Sequence, residues 1–173
     1  MKKYWIILCA GLLSMGLLAG CAGQEQNKTG QETLSAAADL IGQADADVKD
    51  LFGGGEENWT EDQSTYIGRI YTAELYDAPV TIYTTCDADN LVSSVSIWIS
   101  DGTQAVSEEQ LAAWQGYISD ATGVSVGEMP VSEESGTQSW RWQVENTFYT
   151  LRLLGDILTL DILPAVGELR GYI

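Results

Sequence analysis

The chain contains no histidine, and its eight lysines and arginines stand against 25 aspartates and glutamates, a formal net charge of −17 over 173 residues. Without histidine there is no Ser-His-Asp or Cys-His nucleophilic site, no His-ligated zinc and no HExxH chemistry. So few basic side chains cannot neutralise a nucleic-acid backbone, so nucleic acid is excluded as a partner. Phosphate-cradling glycine loops are also missing. Gly53-Gly54-Gly55 follows a helical pattern and has no Lys-Ser/Thr after it. No cofactor motif and no complete metal-ligand set is legible, and neither group is expected. The pairs Glu56/Glu57, Glu108/Glu109 and Glu133/Glu134 supply carboxylates, but each sits in a loop or at a helix start, where acidic residues are ordinary. Asp87-Ala88-Asp89-Asn90 has the start of a calcium loop without its glycine or its distal glutamate, and reads as a solvated turn.

Two of the eight basic residues open the chain. Met1-Lys2-Lys3 precedes an apolar run from Trp5 to Ala19, the n-region and h-region of a secretory signal peptide. The run closes on Leu18-Ala19-Gly20-Cys21. This is an aliphatic residue, two small residues and a cysteine, and it closely resembles the lipobox of bacterial lipoproteins. The resemblance implies a signal peptide over 1–20, cleavage before Cys21, and lipidation of Cys21. The implied location is the cell membrane or outer membrane, lipid-anchored on the extracytoplasmic side. Two or more acyl chains anchor stably where one would not. Cleavage would leave six basic residues, so 6 − 25 = −19. Such a body is repelled by an anionic lipid surface, and the lipid has to do the anchoring. Cys9 would leave with the leader, and Cys86 alone cannot form an internal disulfide. With Asp87 and Asp89 following it, Cys86 lacks the cationic surroundings of a reactive thiol and reads as small apolar filler.

Residues 21–33 are polar, lack aromatic and branched side chains apart from threonine, and read as a flexible tether. A single domain is expected over 34–173, in two similar halves, 34–101 and 107–163. Leu34, Ala37, Ala38 and Ile41 recur at helical spacing before Gly42, and Asp45 is placed to cap a second helix carrying Val48, Leu51 and Phe52. The stretch 56–65 reads as loop, with Trp59 in the core. Strands are predicted over 66–72, 78–86 and 91–100, with Cys86 opposite Leu91, Ile82 opposite Val95 and Val80 opposite Ile97. Ser107 caps a helix with the stripe Leu111, Trp114, Ile118 and Ala121, ending at Gly123. Strands over 138–145, 147–154 and 157–162 follow, pairing Trp142 with Tyr149, Trp140 with Leu151 and Leu153 with Leu158. The expected fold class is α+β: a helical segment plus a three-stranded antiparallel meander, repeated twice, with helices on one face of the sheet. That order of elements resembles the beta-lactamase-inhibitor protein architecture.

Trp140 and Trp142 share a uniformly apolar strand face with Val144, Tyr149, Leu151 and Leu153, so they are assigned to the core rather than to a sugar platform. The opposite face is the candidate site. Alternation places Thr81, Tyr83, Thr85, Val92, Ser94, Ser96 and Trp98 there from the first half, and Arg141, Phe148, Arg152 and Asp161 from the second. Arg69 joins them if Ile70 points inward. Arginine beside large aromatics is the composition of binding hot spots. The binding residues named are therefore Arg69, Tyr83, Trp98, Arg141, Phe148 and Arg152, with no catalytic residue. The expected function is a membrane-anchored extracytoplasmic lipoprotein acting as a non-catalytic binding or assembly module, whose partner is an acidic protein or an anionic envelope polymer. The alternatives are a carboxylate-dependent envelope glycan enzyme and a small cation- or solute-binding lipoprotein.

Overall fold

In the computed structural model, residues 30–49, 54–128 and 136–165 are described. Cys21 and the leader, most of the tether, Leu51, Phe52, Glu133 and Glu134 lie outside them. Two short helices, α1 (Gly30–Ala38) and α2 (Asp45–Val48), precede four strands: β1 (Glu56–Trp59), β2 (Tyr66–Leu75), β3 (Ala78–Cys86) and β4 (Val92–Asp101). The helix α3 (Glu108–Thr122) then leads to β5 (Gly127–Glu128), β6 (Gln138–Val144), β7 (Thr147–Leu154) and β8 (Ile157–Pro164). All eight strands form one antiparallel sheet in the order β1-β2-β3-β4-β8-β7-β6-β5.

This corrects the expected fold class. The molecule is not a helix-plus-three-strand unit used twice but a single eight-stranded sheet, joined at its centre by β4 and β8. Two edge strands escaped the sequence reading. Neither β1, with its run Glu56-Glu57-Asn58, nor the two-residue β5 carries an alternating apolar pattern. Short, charged edges of this kind discourage pairing with another chain. Trp59, expected in the core, lies on edge strand β1 and is exposed. The start of the domain also moves: α1 begins at Gly30, and Thr33, assigned to the tether, is buried.

One sheet face carries the core. Tyr71, Val80, Ile82, Val95, Ile97, Trp142, Tyr149, Leu151, Leu158, Leu160 and Ile162 are buried together with Leu34, Ala37 and Leu40 from the first helical segment and Trp114 and Ile118 from α3. Ser107 caps α3 by accepting the Gln110 amide at 3.1 Å, and Gly123 ends it in the left-handed region at φ 68°. Trp142 buries its ring and donates its indole N–H to Ser119 Oγ at 2.8 Å, so no polar atom is stranded. Trp140 is only half-buried, packed against the margin of this core near the β5 edge.

The β6–β7–β8 register is the predicted one: Trp142 faces Tyr149, Trp140 faces Leu151, and Leu153 faces Leu158. The β3–β4 register differs. Ile82 pairs with Ile97 and Thr84 with Val95, because a bulge sets Cys86 against Val92 while Thr85 meets Ser94. A shift of two residues preserves the facing of the other side chains. The extra residue, Ser93, turns Val92 inward, so Val92 leaves the open face and is buried at 1% exposure.

Candidate functional site

Four of the six proposed binding residues belong to two rows that cross the open face. One row runs Tyr83, Ser96, Asp161, Thr150 and Arg141; the next runs Thr81, Trp98, Thr159, Arg152 and Ser139. Phe148, two residues from Thr150 on β7, extends the same face beneath Arg141. Strands are spaced about 4.8 Å apart. Four strand steps therefore separate Tyr83 from Arg141 by roughly 19 Å, and two steps separate Trp98 from Arg152 by roughly 10 Å.

Arg69 is not on this face, and its assignment is corrected. The alternation assumed that Ile70 points inward, whereas Tyr71 does so, opposite Ile82 in the core, and Ile70 sits opposite Tyr83. Arg69 therefore shares the face of Tyr71. Its Nε lies 3.0 Å from Asp45 Oδ2, with side-chain exposures of 14% and 7%. Tyr66 donates its hydroxyl to the same carboxylate oxygen at 2.7 Å, and the Cys86 thiol reaches Oδ1 at 3.8 Å. Asp45 thus spends its side chain on the sheet and caps nothing; the N-cap of α2 is Ala44, without a side-chain hydrogen bond. Gly68 allows the close approach behind this cluster. A Cβ there would stand 2.2 Å from the Thr84 carbonyl oxygen, while the Arg69 amide donates to Thr84 Oγ1 at 2.9 Å.

The cluster has consistent electrostatics. Burial, then the hydrogen bond and charge of Asp45, holds the Tyr66 phenol well above its ordinary range. Burial opposes the charge of Arg69, but Asp45 outweighs it and keeps the guanidinium above its usual value. Burial and then Asp45 push the Cys86 thiol up to about 11. A thiol so placed is protonated at neutral pH and a poor nucleophile. These residues tie α2 to β2 and β3.

On the open face the two remaining arginines are unlike each other. Arg152 pairs with Asp161 at 3.1 Å, the diagonal pairing expected from the register, and Asp161 also accepts the Ser96 hydroxyl at 2.7 Å. Arg141 instead lies over the Phe148 ring, 4.8 Å from its centroid, with Nε 3.4 Å from Thr150 Oγ1. Arg141 has no acidic partner among the described residues. Stacking on an aromatic face leaves the outer edge of a guanidinium free for a further anion.

At the other end of the face, Tyr83 and Trp98 contact each other with centroids 5.8 Å apart and planes tilted by 56°. Trp98 is 38% exposed. They border a depression of about 510 Å³ bounded by the loop after β4. A second bulge, between Trp98 and Ser100, turns the end of β4 so that Ser100 and Asp101 form its rim. The sequence reading missed this depression, because the bulge that shapes it has no signature in the alternation.

The two carboxylate pairs among the described residues do not converge. Glu56 and Glu57 lie on edge strand β1, and Glu108 and Glu109 open α3. Asp101 is the one carboxylate lining the depression, and hydrogen bonds from the Thr103 hydroxyl and amide hold its pKa below the ordinary value. Asp87 accepts the backbone amides of Asp89 and Leu91 within its own turn. Among the described residues no group of three or more acidic or cysteine side chains could hold a metal ion, and no helix is long and apolar enough to cross a membrane. No protein-family model, curated protein or solved structure matches this chain.

Proposed function

We propose that the protein is a lipid-anchored, extracytoplasmic binding module that holds an anionic envelope polymer on the open face of its sheet. The observation that carries this reading is the spread of the two rows. Aromatic contact at Tyr83 and Trp98 and, at Arg141, a guanidinium without an acidic partner among the described residues sit on one face, roughly 19 Å apart from Tyr83 to Arg141. That separation exceeds the reach of a small solute and suits a chain. Helices and core occupy the other face. Anchorage rests on Leu18-Ala19-Gly20-Cys21, where the cysteine would carry the lipid.

Two experiments test the two parts. Labelling cells with palmitate should mark the wild-type protein, and Cys21→Ala should abolish the label and release the protein from the membrane fraction. Immobilised lipidated protein should retain purified anionic envelope polymer, and the pair Trp98→Ala with Arg141→Ala should weaken retention strongly. Retention of an acidic protein with no retention of the polymer would replace the polymer reading. Equal retention by wild type and the double variant would remove the open face from the function.

A further inference from the structure

The depression beside Tyr83 and Trp98 has a chemistry of its own. Asp101 apart, its hydrogen-bonding side chains are neutral, among them Thr72, Thr81, Tyr83, Gln104 and Gln110. None of these five makes a side-chain hydrogen bond among the described residues, so their polar ends are available to a ligand. No lysine or arginine lines it, and Asp101 is already bonded to Thr103. A phosphate or carboxylate would find no counter-charge here.

The ring geometry narrows the class further. Cages for quaternary ammonium groups surround the cation with separated aromatic faces. Tyr83 and Trp98 instead touch each other, at 5.8 Å between centroids, and leave no gap for a cation between them. A peptide added as a strand needs an open sheet edge. Here β3 is flanked by β2 and β4, and β4 by β3 and β8. What remains is a ligand with an apolar C–H face to lie on an indole and hydroxyls to meet threonine and glutamine. We propose that this depression is a subsite for one neutral saccharide unit, stacked on Trp98 and hydrogen-bonded by Thr72, Thr81, Tyr83, Gln104 and Gln110. The inference rests on the reading of the open face as the binding surface and assigns one end of it: sugar at Tyr83 and Trp98, negative charge toward Arg141.

Calorimetric titration tests it, with the mature lipidated protein in a sugar-free detergent. The probes are triacetylchitotriose and cellotriose, with choline chloride as the competing class. At least one trisaccharide should bind saturably, and Trp98→Ala should weaken it by about tenfold, the scale of losing one aromatic contact. Trp98→Phe should recover most of that loss. Arg141→Ala should change trisaccharide affinity less than twofold while weakening polymer retention. Silence from both trisaccharides, binding indifferent to Trp98→Ala, or choline binding in their place would each overturn the subsite. Polymer retention without trisaccharide binding would remove the subsite alone. Trisaccharide binding without polymer retention would remove the polymer reading alone.

Discussion

Each face of the sheet has a tryptophan and an arginine–aspartate pair, and they differ in what they can do. On the helix-covered face Trp142 is 1% exposed and its indole N–H is satisfied inside the protein, while Arg69 of β2 and Asp45 of α2 form a largely buried pair. On the open face Trp98 is 38% exposed and the Arg152–Asp161 pair is wet, with the arginine 47% exposed. Buried polar groups that lose a partner cost several kcal/mol, whereas exposed pairs contribute little. The comparison teaches that identical residue types divide between holding the fold and meeting a partner according to which side of one sheet they occupy.

The largest effect that would test this division is loss of the buried ring. Trp142→Ala should destabilise by about 3–5 kcal/mol in chemical denaturation, the usual cost of emptying a large aromatic site. Trp140→Ala should cost less, because that ring is half-buried at the sheet margin. Next in size is Asp45→Ala. It strands Arg69 and Tyr66 and should cost roughly 3 kcal/mol; a loss under about 0.5 kcal/mol would make the pair no different from a surface one.

A smaller effect comes with pH. The Cys86 thiol is raised in the folded state from an ordinary value of 9.0 to about 11. A group with a raised folded pKa contributes its full stability below the unfolded value and loses it as pH rises through the folded one. Denaturation midpoints should therefore fall between pH 9 and 11, and Tyr66 adds to the fall in the same direction. Cys86→Ala should flatten the first part of that decline. At neutral pH the Cys86 thiol should react with a thiol reagent more slowly than free cysteine, and full-speed labelling would contradict the sealed cluster.

Much of this was legible before the structure. The meander of β6, β7 and β8 follows from clean alternation and from turns at Glu145-Asn146 and Gly155-Asp156, whose Glu145 and Gly155 take positive φ. Capping at Ser107 and Gly123 marked α3 because side-chain and backbone requirements coincide there. Three things were hidden. Bulges at Ser93 and Ile99 break the two-residue period without a distinctive residue, and they decide where Val92 points and how the depression forms. The strands β1 and β5 have too little apolar pattern to announce themselves. Arg69 was misplaced because Ile70 and Tyr71 are both suitable core residues, and only the partner across the sheet, Ile82, chooses between them. Of the candidate site, Tyr83, Trp98, Arg141, Phe148 and Arg152 share the open face and Arg69 does not.

The smallest expected effect on the fold carries the largest consequence for the function. Trp98→Ala should change stability by no more than about 0.5 kcal/mol, as exposed substitutions do. The decisive measurement pairs polymer retention with the thermal midpoint in Trp98→Ala/Arg141→Ala. The division between faces predicts that retention falls by tenfold or more, roughly the 1.4 kcal/mol that one aromatic or charged contact supplies, while the midpoint stays within about 4 °C of wild type. Retention unchanged in that variant, or lost only together with the fold, would contradict it.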